Sequence, residues 1–264
     1  GLSPYWTVGI SYSIYGKRKK IPAPLTLLPD IISYTFKIVF KKIDVVVVNP
    51  SLRKYQLFRD GIYILIALLF KKKVVTFIHG WDVSLSAKLE KRNFLFNRIY
   101  GKSAFIYVLS SAFKTSLTRM GIQCPILQTT TKVDDSFLDQ PSPKTETHVQ
   151  HILFLSRIIK TKGIYIAIDA FHLLKQEFKD LKLLVCGDGA ELGAAQRYVK
   201  ERSISDVTFT GRVAGKDLIK SYQQSDIYIL PSYEEGLATS VLEAMGFGLP
   251  VITRPVGGII DFFV

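Results

Sequence analysis

The sequence predicts an α/β protein made of two doubly wound parallel-sheet halves, and three observations carry that prediction. Short β-branched runs alternate with longer stretches of helical periodicity along most of the 264 residues. The β-branched runs are continuous, as in Val45-Val-Val-Val48, the pattern of parallel strands rather than of half-solvated antiparallel ones. The alternation stops once, over residues 129–148, where threonine, proline and charge replace periodicity, and then restarts. Residues 1–128 are therefore read as an N-terminal half, 129–148 as a linker and 149–264 as a C-terminal half.

In order, a polar start over residues 1–20 leads to a helix near Leu25–Lys41 and a strand at Asp44–Asn49. An apolar helix near Tyr55–Phe70, a strand at Lys73–Ile78 and one helix near Leu85–Tyr100 follow. The strand Ala104–Leu109, a helix near Ser111–Met120 and a short strand at Pro125–Gln128 close the half. After the linker come strands at 151–155, 181–186, 206–210, 226–230 and 250–253. Helices near Lys162–Phe178, Ala190–Arg202 and Lys216–Gln224, one from about Thr239, and one starting near Gly257 separate and follow them. An open sheet of this kind binds ligands at the carboxyl ends of its strands.

Composition narrows the function classes. Two distant cysteines, Cys124 and Cys186, suit a reducing compartment and no disulfide framework. The four histidines lack metal-site spacing and no D-x-D pair occurs, so no bound metal is expected. No secretory signal is visible, and the apolar segment Gly61–Phe70 is too short to span a bilayer. The net charge is +13, with 22 Lys+Arg against 9 Asp+Glu in residues 1–148 and 13 of each in residues 149–264. Such a basic half attracts anionic surfaces. A nucleic-acid partner is set aside, because the second half is neutral and no recognition motif is present. An anionic membrane surface is kept.

The distinctive residues of the second half fall just past strand ends: Ser156-Arg157, Gly187-Asp188-Gly189, Gly211-Arg212 and Tyr233-Glu-Glu-Gly236. Lys160 and Lys162 stand at a helix start, where the macrodipole disfavours cations unless an anion such as a phosphate binds there too; a solvated pair is the plain alternative. Ser240-Val-Leu-Glu243 fits a capping box, so Glu243 is either a helix cap or a carboxylate that accepts hydrogen bonds from a ribose diol. Glu235 lies on the turn itself, with Gly236 beside it allowing close backbone approach. The N–H groups of Leu237, Ala238, Thr239 and Ser240 then face a diphosphate. His79, at a strand end of the first half, either donates a hydrogen bond to a substrate hydroxyl or acts as an acid/base, or else is a buried, satisfied histidine.

These blocks together resemble the retaining glycosyltransferases of family 4, which have the GT-B fold of two Rossmann-like domains around an active-site cleft. Residues 154–163 resemble the G-R-x-x-x-x-K-G segment, with Ser156 in place of its glycine. Leu183–Glu191 resembles the second strand and turn, Val207–Val213 the base-contacting segment, Glu235 to Glu243 the E-x7-E motif, and Gly257-Gly258 the glycine pair that ends it. The resemblance implies a UDP- or GDP-sugar as donor substrate and neither cofactor nor metal. It gives Arg157 and Lys162 the diphosphate, Glu243 the ribose and Glu235 the sugar hydroxyls. His79 reaches the sugar from the other domain, and Gly187, Arg212 and the 236–240 turn complete the donor site. It implies transfer with retention to a lipid-linked or polysaccharide acceptor, as in cell-envelope polysaccharide biosynthesis. The location implied is cytoplasmic and peripheral, on the inner face of the plasma membrane.

Leu237-Ala238 replaces the family's aromatic-glycine pair. The chain is also expected to lack the first strand of the N-terminal domain and the C-terminal helices that cross back to it. Two other readings stay open: an epimerase of the same fold acting on nucleotide sugars, and a truncated, non-catalytic copy that still binds a nucleotide.

Overall fold

The computed structural model describes residues 23–133 and 149–262. The polar start and most of the expected linker lie outside these residues. The fold class is as expected: α/β, with two separate parallel sheets.

The first sheet holds β1 (Val45–Val48), β2 (Lys73–Ile78), β3 (Phe105–Val108) and β4 (Ile126–Gln128), in the order β1-β2-β3-β4. Around it lie α1 (Ala23–Phe40), α2 (Lys54–Leu69), α3 (Val83–Lys91), α4 (Phe94–Tyr100) and α5 (Ser111–Arg119). Asp82 and Ser110 cap α3 and α5, accepting from the backbone N–H of Leu85 at 2.8 Å and of Ala112 at 3.2 Å. Alternate strand residues Val46, Val48, Val74, Ile78, Ile106 and Val108 form one core with Ile64 and Ala67 of α2, Phe96 of α4 and Phe113 and Leu117 of α5. Strands that follow one another in sequence order send right-handed crossovers to the same side. Val47 and Phe105, 58 % and 42 % exposed, point to the other side.

The helix expected over 85–100 is two helices. An unbroken helix would carry Arg92 onto the inward stripe shared by Leu85, Leu89, Phe96 and Ile99. Instead the chain breaks at Arg92-Asn93, and Arg92 stays exposed.

The second sheet has the order β7-β6-β5-β8-β9, from β5 (His151–Leu155), β6 (Lys182–Cys186), β7 (Val207–Gly211), β8 (Ile227–Leu230) and β9 (Val251–Thr253). The order reverses between β5 and β8, which makes the crevice past their ends the topological switch point. The helices are α6 (Ile164–Glu177), α7 (Leu192–Glu201), α8 (Lys216–Gln223), α9 (Thr239–Gly246) and α10 (Ile259–Phe262). Phe154, Phe171, Tyr222, Tyr228 and Phe247 anchor its core, which also takes in Leu109 from the first half. Among the described residues, no helix is long and apolar enough to cross a membrane.

Candidate active site

The site forms where β5 and β8 end side by side. After β5 the chain passes Arg157, makes a single 3-10 turn at Lys160–Lys162, and enters α6 through Gly163. Lys162 does not point into solvent. Its Nζ lies 2.5 Å from Oε1 of Glu235, which follows β8, and the two side chains are only 13 % and 6 % exposed. Two residues predicted to share a ligand thus hold each other. The carboxylate offsets the cation that the start of α6 disfavours.

Glu243 is held in a different way. Of the two roles the motif allows Glu243, the capping box does not form, because Ala238 and not Ser240 occupies the N-cap of α9, and no side chain caps the helix. Ser240, already inside the helix, accepts a 2.7 Å bond at Oγ from the Tyr228 hydroxyl. Glu243 Oε2 accepts a 2.7 Å bond from Tyr222, whose hydroxyl also lies 3.3 Å from the Ser240 carbonyl. Burial pushes both tyrosine hydroxyls far up, and the nearby Glu243 carboxylate raises them further. They are therefore fixed as neutral donors. Oε1 of Glu243 takes no hydrogen bond among the described residues. The N–H groups of Leu237, Ala238, Thr239 and Ser240 likewise have no acceptor there. The Leu237 and Ala238 side chains, 6 % and 7 % exposed, turn into the core, so they offer the crevice backbone rather than side chain.

The first half meets this turn through His79. A β-carbon on Gly236 would sit 2.5 Å from the His79 carbonyl oxygen, so only glycine permits the approach. Nε2 of His79 lies 3.2 Å from Ser51 Oγ. Burial lowers the imidazole pKa, partly opposed by a hydrogen bond to the Phe77 backbone. With one N–H given to that carbonyl, the neutral ring presents Nε2 as an acceptor. That acceptor already faces the Ser51 hydroxyl, so a substrate hydroxyl that bonds Nε2 takes the place of Ser51.

Gly187, at the end of β6, has φ 146°, and a side chain there would run into the Ser156 carbonyl. Its N–H bonds Gly211 O at 2.7 Å, tying the ends of β6 and β7 together. Arg157 and Arg212 are exposed and in no ion pair among the described residues. Arg212 follows β7 at the sheet edge, next to Gly211, whose carbonyl accepts the Gly187 bond. A cavity of about 350 Å³ is lined by Lys160, Thr161, Gly163, Tyr165, Ile166 and Tyr233. It adjoins the 160–162 turn but includes neither Lys162 nor either glutamate of the site.

Sequence reasoning missed Tyr222 and Tyr228. The signal was available in Tyr228, a phenol inside the apolar run Ile227–Leu230, since a buried hydroxyl needs a partner.

Comparison with known proteins fits this geometry. The family model for "Glycosyl transferases group 1" matches residues 137–264. The chain is 25 % identical over 197 residues to the amylovoran biosynthesis glycosyltransferase AmsK of Erwinia amylovora, covering 71 % of this chain and 48 % of that one. It is 25 % identical over 175 residues to the 2-deoxystreptamine N-acetyl-D-glucosaminyltransferase of Niallia circulans, covering 66 % and 42 %. The chain thus spans about half the length of these curated relatives. Among solved structures it resembles sucrose-phosphate synthase of Thermosynechococcus elongatus, with TM-score 0.69, 17 % identity, and 94 % and 66 % coverage. It also resembles Anabaena Alr3699/HepE in complex with UDP and glucose, with TM-score 0.67, 17 % identity, and 90 % and 64 % coverage. These structural likenesses speak to the fold, which is of GT-B type. The C-terminal part of the chain, residues 137–264, is thus similar to the glycosyl transferases group 1 family.

Proposed function

We propose that this chain is the catalytic portion of a metal-independent, retaining glycosyltransferase of family 4. It moves a sugar from a UDP- or GDP-sugar to a lipid-linked or polysaccharide acceptor. Residues 149–264 bind the donor and residues 1–128 carry the acceptor side. The observation that supports this best is the grouping at the switch point: Lys162 against Glu235, a row of amides at α9 with no acceptor among the described residues, and Glu243 with one oxygen open among them.

The roles follow from that grouping. The diphosphate lies on the α9 amides, with Lys162 and Arg157 as its cations, since a helix start and paired cations stabilise the charge that grows on the leaving group. Lys162 turns from Glu235 to the phosphate as the donor enters, which frees the Glu235 carboxylate for the sugar hydroxyls. Glu243 takes the ribose hydroxyls at Oε1 while Tyr222 holds Oε2. His79 accepts from a sugar hydroxyl across the crevice, which takes the place of Ser51 at Nε2. The bond from the anomeric carbon to the phosphate oxygen breaks, and the acceptor oxygen bonds to the same face of that carbon. The acceptor proton passes to the departing phosphate.

The enzyme works as a peripheral protein on the inner, anionic face of the plasma membrane. Exposed Leu28, Ile32, Phe36 and Phe40 form a stripe on α1 that ends at Lys41 and Lys42. Exposed Phe58, Leu65 and Leu69 of α2 lead to Lys71, Lys72 and Lys73. Apolar stripes ending in lysines are the composition of an interfacial surface. Flotation with anionic liposomes and not with neutral ones is expected; equal binding to both removes the membrane reading.

The deciding test of the activity is a donor screen, reading nucleoside diphosphate release and glycosylated product across UDP- and GDP-sugars. Release without transferred sugar, or an epimerised free donor, overturns it. Glu235→Ala and Lys162→Ala abolish turnover, and a fully active Lys162→Ala variant breaks the phosphate assignment.

A further inference from the structure

We propose that Asp261 is a positioning residue that holds the donor turn in register with His79; the catalytic consequence rests on the function proposed above. Asp261 belongs to α10 of the second half, yet its carboxylate bonds the first half. Oδ2 accepts from the Ser111 backbone N–H at 2.7 Å and from Gln128 Nε2 at 2.9 Å. Oδ1 accepts a short bond from the Ser111 hydroxyl. Ser111 is the first residue of the nine-residue helix α5, and Gln128 is the last residue of β4. One carboxylate therefore grips both a helix start, where the dipole favours it, and a strand end of the opposite sheet.

The connection to the site is short. The Asp261 N–H bonds Gly258 O at 3.2 Å, and the Gly258 N–H bonds Gly236 O at 2.6 Å. Gly236 is the residue that lies against the His79 carbonyl and follows Glu235. A chain of hydrogen bonds therefore runs from α5 and β4 through Asp261 and Gly258 to the turn carrying Glu235. Asp261 touches none of the groups assigned to the donor. It acts on where Glu235 stands relative to His79, two groups that must address one sugar from opposite halves.

The test compares Asp261→Ala, Asp261→Asn and Asp261→Glu in the full chain. Nucleoside diphosphate binding by calorimetry reads the second half alone and stays within about twofold of wild type. Turnover at saturating donor falls about tenfold to a hundredfold in Asp261→Ala, the scale of a small misplacement of reacting groups. Asp261→Glu, which keeps the acceptor, recovers part of it. Hydrogen exchange of the ligand-free protein rises at the start of α5 and at residues 235–238 in Asp261→Ala, while β5 and β6 stay protected. Wild-type turnover in Asp261→Ala overturns the proposal. So does a parallel loss of nucleotide binding, turnover and protection across the whole second sheet, which is a structural role only. If wild type transfers no sugar, the proposed function fails. The exchange pattern then still decides whether Asp261 holds the turn, and unchanged exchange there overturns it.

Discussion

Nζ of Lys162 and Oε1 of Glu235 stand 2.5 Å apart, with both side chains nearly closed off from solvent. Removing one partner of a shielded pair leaves the other charge uncompensated, whereas replacing both by apolar side chains costs little. Lys162→Met is expected to lower unfolding stability by about 3–5 kcal/mol, and Lys162→Met with Glu235→Leu to return most of it. Urea unfolding of Lys162→Met and of the double variant checks this. Both forms remain inactive, which separates the pair's part in stability from its part in catalysis.

Tyr222 donates to Glu243 from a fully buried position. Tyr222→Phe removes the donor and leaves Oε2 without its partner, a loss of about 1–3 kcal/mol in stability. With the carboxylate free to swing, nucleoside diphosphate affinity drops about tenfold. Titration calorimetry of the variant measures it, and unchanged affinity would show that Tyr222 serves the fold alone.

Gly236→Ala places a methyl group against the His79 carbonyl. The two halves must move apart to accommodate it, at about 1–3 kcal/mol. Transfer falls steeply while nucleotide binding by the second half persists. A variant that loses both equally would place the disturbance in the donor turn itself.

His79 carries a pH signature. Burial holds its imidazole below the ordinary value of 6.5, with the Phe77 backbone bond opposing in part. The unfolded chain therefore takes up this proton first as pH falls. The associated stability is present above 6.5 and is lost progressively below it, down through the folded value. Urea midpoints measured from about pH 8 to 5 fall on the acid side, and His79→Gln flattens that part of the curve.

Much of the fold was legible because β-branched runs and strand-end glycines are local signals. Gly187, Arg157 and Glu235 stand where the strand reading put them, just past β6, β5 and β8. The break at Arg92-Asn93 was not legible, since it depends on which side of the helix must be dry. The Ser240–Glu243 motif left two roles open because a motif does not say where a helix starts. Ala238, two residues before Ser240, holds the cap position, and the glutamate is left to Tyr222, 21 residues away in sequence. The Lys162–Glu235 pair spans 73 residues and the Ser111–Asp261 bonds span 150. Contacts of that range come from the sheet order, which one sequence does not display.

Leu109, just past β3, is packed into the core of the other sheet. Its removal from that core costs apolar burial in both halves at once. Melting is then a shared event: heat that loosens the first sheet also opens a hole beneath the donor turn. The residues of that turn thus register damage done to the first half, and a substitution remote from them disorders the turn by lowering a common melting temperature.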